Sequence, residues 1–343
     1  VIIDTDPGVD DALALILALA SPHLHVLALT ISYGNVSLPH TLRNTLSLLH
    51  LIQQWRRDAG LSPLPKPILA IGAEKPLERE LLNAAYIHAS DGFGGIHASD
   101  LSLAPPYWES LLPPHLRGIL PHPQSSSRTP SIPAPHELPY ILSPRPAAEE
   151  LIHQATSHPD DSLTLITLGP FTNLSTAWSL DPVAMARYSR VVSMAGCLNS
   201  PGNVTPFAEF NTWADAEAAR RVFEATVPSS PDHPYLRHLI LIPLNVTTKM
   251  QLSSSHLQSH IPPSSPLSPF LQALLKQNFA YSSSLASSTI VIHDATAVQY
   301  VIDLAHNSLA SRGWKELGKG QGLDIRVESK GQWTSGMLLT DQR

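Results

Sequence analysis

Residues 1–11 read Val1-Ile2-Ile3-Asp4-Thr5-Asp6-Pro7-Gly8-Val9-Asp10-Asp11. Val1, Ile2 and Ile3 make a short apolar β-branched run, the pattern of a buried strand. Pro7 and Gly8 break it. From Asp10 the period changes, and Asp-Asp-Ala-Leu-Ala-Leu-Ile-Leu-Ala-Leu-Ala is a strong helix former with acids in its first turn. The stretch is therefore strand, tight turn and helix, with Asp4, Asp6, Asp10 and Asp11 crowded around the turn. Two carboxylates about 4 Å apart repel by roughly 4 kcal/mol at an effective dielectric of about 20. Such a group needs protons, intervening water or a cation. An all-oxygen set suits a hard divalent ion, Ca²⁺ before Mg²⁺, because loop geometry is seldom octahedral. Asp10 and Asp11 alone could do no more than start a helix and complement its dipole. That leaves Asp4 and Asp6 unexplained, and the turn is read as a metal site at the end of the first strand.

Working outward, residues 25–32 (His-Val-Leu-Ala-Leu-Thr-Ile-Ser) form a second apolar strand, closed by Tyr33, Gly34 and Asn35. Residues 41–57 have helical period, and 67–72 (Pro-Ile-Leu-Ala-Ile-Gly) are a third strand. Further strands are expected at 162–169, 190–196 and 238–244, with helices at 147–157, from Thr172-Asn173, from Asp215, and from 291 to about 304. Short apolar strands alternating with amphipathic helices imply a parallel sheet with right-handed crossovers. Ligands of such sheets sit outside the carboxyl ends of the strands, which places Asp6, Asp10, Asp11 and Asn35 on one rim. The tail, at 324–328 and 337–340, reads as an edge hairpin.

Three stretches lack clear period. Residues 88–95 (His-Ala-Ser-Asp-Gly-Phe-Gly-Gly) lack the preceding strand and the lysine of a phosphate loop, and are expected to be a flexible active-site loop. Residues 104–146 carry twelve prolines in 43 positions with Ser and His clusters, and are expected to be an irregular or partly disordered insertion able to cover the pocket. Residues 253–268 read as a second Ser/Pro-rich loop. One domain spanning 1–343 is expected around these excursions.

The whole composition narrows the class. With 343 residues, 43% hydrophobic and 15% charged, the chain can bury a sizeable core. A net charge of -6 argues against a nucleic-acid partner. The single cysteine, Cys197, excludes an internal disulfide and a Cys-rich zinc site, and fits a reducing compartment. No apolar run approaches ~18 residues, so no membrane partner is expected. The chain opens at Val1, already inside a strand, so an N-terminal extension is expected to precede it, and cytoplasm is only the default location.

Asp4-Thr5-Asp6-Pro7-Gly8-Val9-Asp10-Asp11 resembles the N-terminal signature of the inosine-uridine-preferring nucleoside hydrolases. Gly34-Asn35, Ile87-His88, Leu168-Gly169-Pro170 with Thr172-Asn173, residues 202–211 and His293-Asp294 follow in that family's order, across nearly the whole chain. The resemblance implies a Rossmann-like, open, mostly parallel α/β sheet with helices on both faces. It implies Ca²⁺ as cofactor, a ribonucleoside as substrate and a homo-oligomer, dimer or tetramer. Asp6, Asp11 and Asp294 would bind Ca²⁺ through side chains and Leu168 through its carbonyl. Asp10 would hold a water and the 2′-hydroxyl, with Asn35 and Asn211 facing the ribose diol. Asn203 and Glu209 would grip the 5′-hydroxyl, His88 would lie beside ribose or base, and His293 near the leaving base. Asp4 would help to fix the loop. Ala89 stands where the family has glycine, and Asn245 where an acid is common.

The implied reaction is hydrolysis of an N-glycosidic bond through an oxocarbenium-like ribosyl cation, serving nucleoside salvage. Asp6 or Asp10 would accept the proton of water, Asp6 being favoured, and His293, of unperturbed pKa near ~6.5, would serve the departing base. Thr172 and Asn173 read as helix-cap residues outside the site. Two alternatives stand beside this: a nucleoside- or Ca²⁺-binding homologue without turnover, and a haloacid-dehalogenase-like phosphatase. The latter needs a lysine at a strand end, for which Lys249 is the candidate, and fits the Asp10-Asp11 spacing poorly.

Overall fold

The first strand, β1 (Ile2–Thr5), is buried along its whole length in the computed structural model, as a parallel strand covered on both faces must be. Residues 1–99, 104–120, 131–228, 230, 233–265, 267–284, 287–317 and 322–340 are described. Six further strands lie beside β1: β2 (Ala28–Ile31), β3 (Ile68–Ile71), β4 (Ile141–Leu142), β5 (Thr164–Thr167), β6 (Arg190–Ser193) and β7 (Leu239–Leu241). They form one seven-stranded sheet in the order β4-β3-β2-β1-β5-β6-β7. All of its ladders are parallel, with Ile2 opposite Ala28 on one side and Leu165 on the other.

Side chains alternate across this sheet, so Ile2 and Ile3 enter different cores. Ile3, Leu29, Ile31 and Ile166 pack beneath the helices Val9–Ala20, Leu38–Asp58, Leu267–Ser284 and His293–Ala305. Ile2, Ala28, Leu165 and Val191 pack beneath Ala147–Ser157, Thr172–Leu180 and Ala216–Glu224. Each such isoleucine is worth roughly 1.5–3 kcal/mol relative to exposure. From β1 the chain winds through β2 and β3 to β4 on one side, while β5, β6 and β7 extend the other. The pair β1/β5 is therefore the switch point of the topology, where ligands of open sheets bind. Beyond the ends of these two strands lie the acidic turn and Leu168-Gly169.

The described part of 104–146 has little regular structure, yet it packs on the fold: Tyr107, Trp108, Leu112 and Tyr140 are buried in the core, and Ile141–Leu142 is the edge strand β4. Pro139 and Pro144 bracket that strand and hold it to two residues, because proline donates nothing to a ladder. Residues 121–130 lie outside the described residues. The expectation of a loop at 253–268 is corrected: these residues contain the helix Ser254–His260 and the start of Leu267–Ser284. Ser253 Oγ accepts the His256 N–H at 3.0 Å, an N-cap hidden in serine-rich text. The short strand β8 (Gln251–Ser253) pairs antiparallel with β9 (Thr289–Val291), and β10 (Ile325–Glu328) with β11 (Met337–Thr340), the expected terminal hairpin. Among the described residues no helix is long and apolar enough to cross a membrane.

Candidate active site

The turn after β1 is held from within. Asp11, in the first turn of the helix Val9–Ala20, reaches back to the Gly8 N–H at 3.0 Å and also accepts from the Thr5 hydroxyl at 2.5 Å and the Asn35 amide at 2.8 Å. Asp11 does start the helix, and the same carboxylate faces Asp10 and Asp294: one oxygen from each of the three lies within 4.8 Å of the others. Asp6 is buried beside them rather than in that trio. Its Oδ2 accepts the Asn35 N–H at 2.6 Å, and its Oδ1 is buried without a partner among the described residues. A Cβ built on Gly34 or on Gly169 would overlap the Asp6 carboxylate, so two glycines make the slot in which it lies.

Burial, and then the field of neighbouring carboxylates, pushes the Asp6 and Asp294 carboxyls well above the ordinary range and raises Asp11. Asp4, fully buried, is pushed up to about 6 by desolvation, against hydrogen bonds from Thr30 and Asn173. A set of oxygen donors that repel one another, one of them orphaned, is what a hard divalent cation satisfies. These residues fit such an ion.

Around the trio lies a cavity of about 420 Å³. Asp10, Asn35, His88, Leu168, Asn203, Glu209, Asn211, His293 and Asp294, all expected from sequence, line it, while Asp6 and Asp11 sit in the wall behind. The Asn211 amide donates to the Leu168 carbonyl at 2.7 Å and to the Met194 carbonyl at 2.9 Å, which ties the end of β5 to that of β6. Glu209 caps the helix Phe210–Ala214 and accepts the N–H groups of Asn211, Gly196 and Thr212. Its complete burial nonetheless pushes its carboxyl up to about 7. Asn203 Oδ1 accepts the Phe210 N–H at 2.9 Å.

Two histidines face the trio. His88 Nδ1 accepts the Val9 N–H at 3.0 Å, which leaves the ring proton on Nε2, and lies 3.9 Å from Asp10. His293 Nδ1 pairs with the Thr247 hydroxyl at 2.8 Å, and burial holds its pKa below the ordinary value. Beyond His293 the pocket is walled by Leu275, Ile290, Asn278, Gln251 and Tyr281. Among the described residues, Asn278 Oδ1 is buried there without a partner.

Several of these groups were missed in sequence. Asn278 lies on Leu267–Ser284, a helix that starts inside serine- and proline-rich sequence. Thr247 had no visible role. Thr172 and Asn173 do not cap their helix: the Thr172 hydroxyl donates to Asp215 at 2.8 Å, and Asn173 bridges Asp4 and the Ala73 N–H. The loop after His88, expected to be flexible, is wound about Asp91, whose carboxylate accepts the N–H groups of Phe93, Gly95 and His97. Among the described residues of 104–146, none lines the pocket.

A family model described as "Inosine-uridine preferring nucleoside hydrolase" matches residues 1–343. The pyrimidine-specific ribonucleoside hydrolase RihA of Salmonella paratyphi A is 29% identical over 343 residues, covering 99% of this chain and 88% of that protein. Among solved structures, an inosine-guanosine nucleoside hydrolase superposes with a TM-score of 0.68 at 25% identity, over 99% of this chain and 87% of its own. A plant nucleoside hydrolase, PpNRh1, gives a TM-score of 0.69 at 24% identity, over 100% and 86%.

Proposed function

The chain belongs to the inosine-uridine preferring nucleoside hydrolase family, and from that premise we propose Ca²⁺-dependent hydrolysis of uridine- and inosine-type ribonucleosides to ribose and free base, for salvage. Membership makes it an enzyme acting on N-glycosyl bonds of ribonucleosides, in a metal-dependent family. One observation carries the finer assignment: a single pocket at the β1/β5 switch point is lined at once by Asp10, Asp294, Asn35, Glu209, Asn211, His88 and His293.

Asp6, Asp10, Asp11 and Asp294, with the Leu168 carbonyl, would hold the cation, and the orphaned Asp6 Oδ1 supports Asp6 as one of its donors. When bound, such an ion offsets the repulsion among the carboxylates and makes water in its shell more acidic. Asp6 or Asp10 takes the proton of the water that adds to C1′. The surrounding carboxylates stabilise the positive charge that develops on the ribose. Asn35 and Asn211 face the diol, and a deoxynucleoside would leave their polar groups unpaired, which selects against it. Asn203 and Glu209 meet the 5′-hydroxyl. His88, protonated on Nε2, donates to ribose or base. His293 serves the departing base, which leaves protonated or hydrogen-bonded. The unpartnered Asn278 Oδ1 supports bases that present a ring N–H there, as uracil and hypoxanthine do. The family resemblance supports a homo-oligomer, and the lone Cys197 a reducing cytoplasm.

The test is a reducing-sugar assay with uridine, inosine, cytidine and adenosine, with and without chelator. Release that is fastest with uridine and inosine, and lost with chelator or in Asp6→Ala, is expected. No release from any ribonucleoside by folded, Ca²⁺-loaded protein would overturn the assignment.

A further inference from the structure

Asn44 lies inside the helix Leu38–Asp58 and is completely buried. Asparagine is a poor helix former, and burying its amide costs free energy unless its donors and acceptor are met. Here they are met by loops. Nδ2 donates to the Pro7 carbonyl at 2.8 Å and to the Asp91 carbonyl at 3.0 Å, while Oδ1 lies 2.7 Å from His97 Nε2. Pro7 is the centre of the carboxylate turn, between Asp6 and Gly8. Asp91 organises the loop that follows His88. One side chain thus joins both halves of the catalytic wall, and a Cβ on Gly92 would stand 2.7 Å from its nitrogen, so no space is left around the junction.

We propose that Asn44 is a positioning residue that sets the distance between the carboxylate turn and His88, and through it the rate of N-glycosidic cleavage; this rests on the hydrolase reading above. Among the described residues the carboxylate turn and the His88 loop also meet through the Val9 N–H, which donates to His88 Nδ1 at 3.0 Å. With Asn44 gone, the His88 ring keeps that bond and its 3.9 Å approach to Asp10, but the backbone that carries it loses its tie to Pro7. The cation donors keep their own supports: Asp11 retains Thr5 and Gly8, and Asp6 retains Asn35. Misplacing a substrate-facing group by about 1 Å costs on the order of 100-fold in rate.

Asn44→Ala and the near-isosteric Asn44→Asp, which keeps the acceptor for His97 but loses both donors, are compared on folded, Ca²⁺-loaded protein. Both are expected to lower kcat on uridine by about 10- to 100-fold with KM within about threefold. In a His88→Ala background, removing Asn44 is expected to cost less than about threefold more, since its effect passes through His88. Histidine ¹⁵N spectra give a readout that fold stability does not move: His88 carries its proton on Nε2 in the parent and mixes tautomers in either variant. An unchanged kcat per folded molecule, a full further loss in the His88→Ala background, or an unchanged His88 ring spectrum overturns the proposal. If the parent protein releases ribose from no ribonucleoside, the hydrolase reading falls, and the ring spectra alone decide whether Asn44 holds His88. If Asn44→Ala does not fold, Asn44→Asp decides it.

Discussion

Ala89 adopts φ 65°, ψ 171°, between His88 and the loop wound about Asp91. That region of backbone space is almost confined to glycine, and a side chain there costs of order 1–3 kcal/mol. The family's usual glycine at this position removes that cost. Against the gain stands the greater freedom of glycine in the unfolded chain, roughly 0.5–1 kcal/mol. Ala89 is half-buried, so little apolar area is lost with its methyl. Ala89→Gly is therefore expected to stabilise the protein by about 1 kcal/mol. For a chain of 343 residues, an unfolding entropy near ~2.1 cal/mol/K per residue turns this into a rise in Tm of about 1–2 °C. Because that is small, the urea midpoint followed by circular dichroism is the better assay, with an unchanged m-value showing that the reference states are the same. Ala89→Val supplies the opposite sign, since a β-branched residue is least tolerated at positive φ. The bond from Val9 to His88 is untouched, so kcat should stay within about twofold. A loss of stability in Ala89→Gly, or a valine variant as stable as the parent, would refute the strain.

Gly34→Ala and Gly169→Ala each drive a methyl into the Asp6 carboxylate; added Ca²⁺ is expected to raise Tm in the parent and in neither variant, and ribose release should fall on the order of 100-fold, while far-ultraviolet dichroism stays native. His97 is buried against Phe93 and Asn44, among Arg43, Asp91 and His40, and its pKa is lowered from 6.5 to about 3, chiefly by desolvation and then by Arg43. Its folded form is the neutral one, so its contribution is complete above about 6.5 and is lost as pH falls from there toward 3, by up to about 5 kcal/mol. Asp4 and Glu209, whose carboxyls are raised, act with the opposite sign, so the quantity to measure is the difference in urea stability between parent and His97→Gln from pH 7 to 4; a constant difference refutes the reasoning. Asn245 pairs twice with Leu198, accepting its N–H at 2.9 Å and donating to its carbonyl at 2.6 Å. Restoring the family's acid as Asn245→Asp loses the donor and opposes a carboxylate to that carbonyl, and should cost roughly 1–3 kcal/mol in the urea midpoint.

What was legible in sequence were groups whose neighbours in space are also neighbours in the chain. Val1 to Ile3 announce a buried strand because both faces of a parallel strand are covered, and four acids within eight residues announce a turn that cannot stand uncompensated. The rest depends on which distant segments meet. A buried asparagine inside a helix reads like an exposed one, so Asn44 carries no mark of its bonds to Pro7 and Asp91 until Leu38–Asp58 is laid on the sheet. Asn173 looks like a helix start because asparagine favours caps, yet the register of β1 against β5 brings Asp4 within its reach at 2.8 Å. Ser253 and the two residues of β4 are masked by serine and proline text that resembles disorder. Ala89 is the converse case: a departure visible in the sequence that acquired its meaning only with a backbone angle. The carboxylates and histidines are specified by what they do, and the asparagines behind them by where the β1/β5 switch point puts the loops. Substituting Asn44 or Asn173 therefore tests the topology, while substituting Asp6 or Asp10 tests the chemistry.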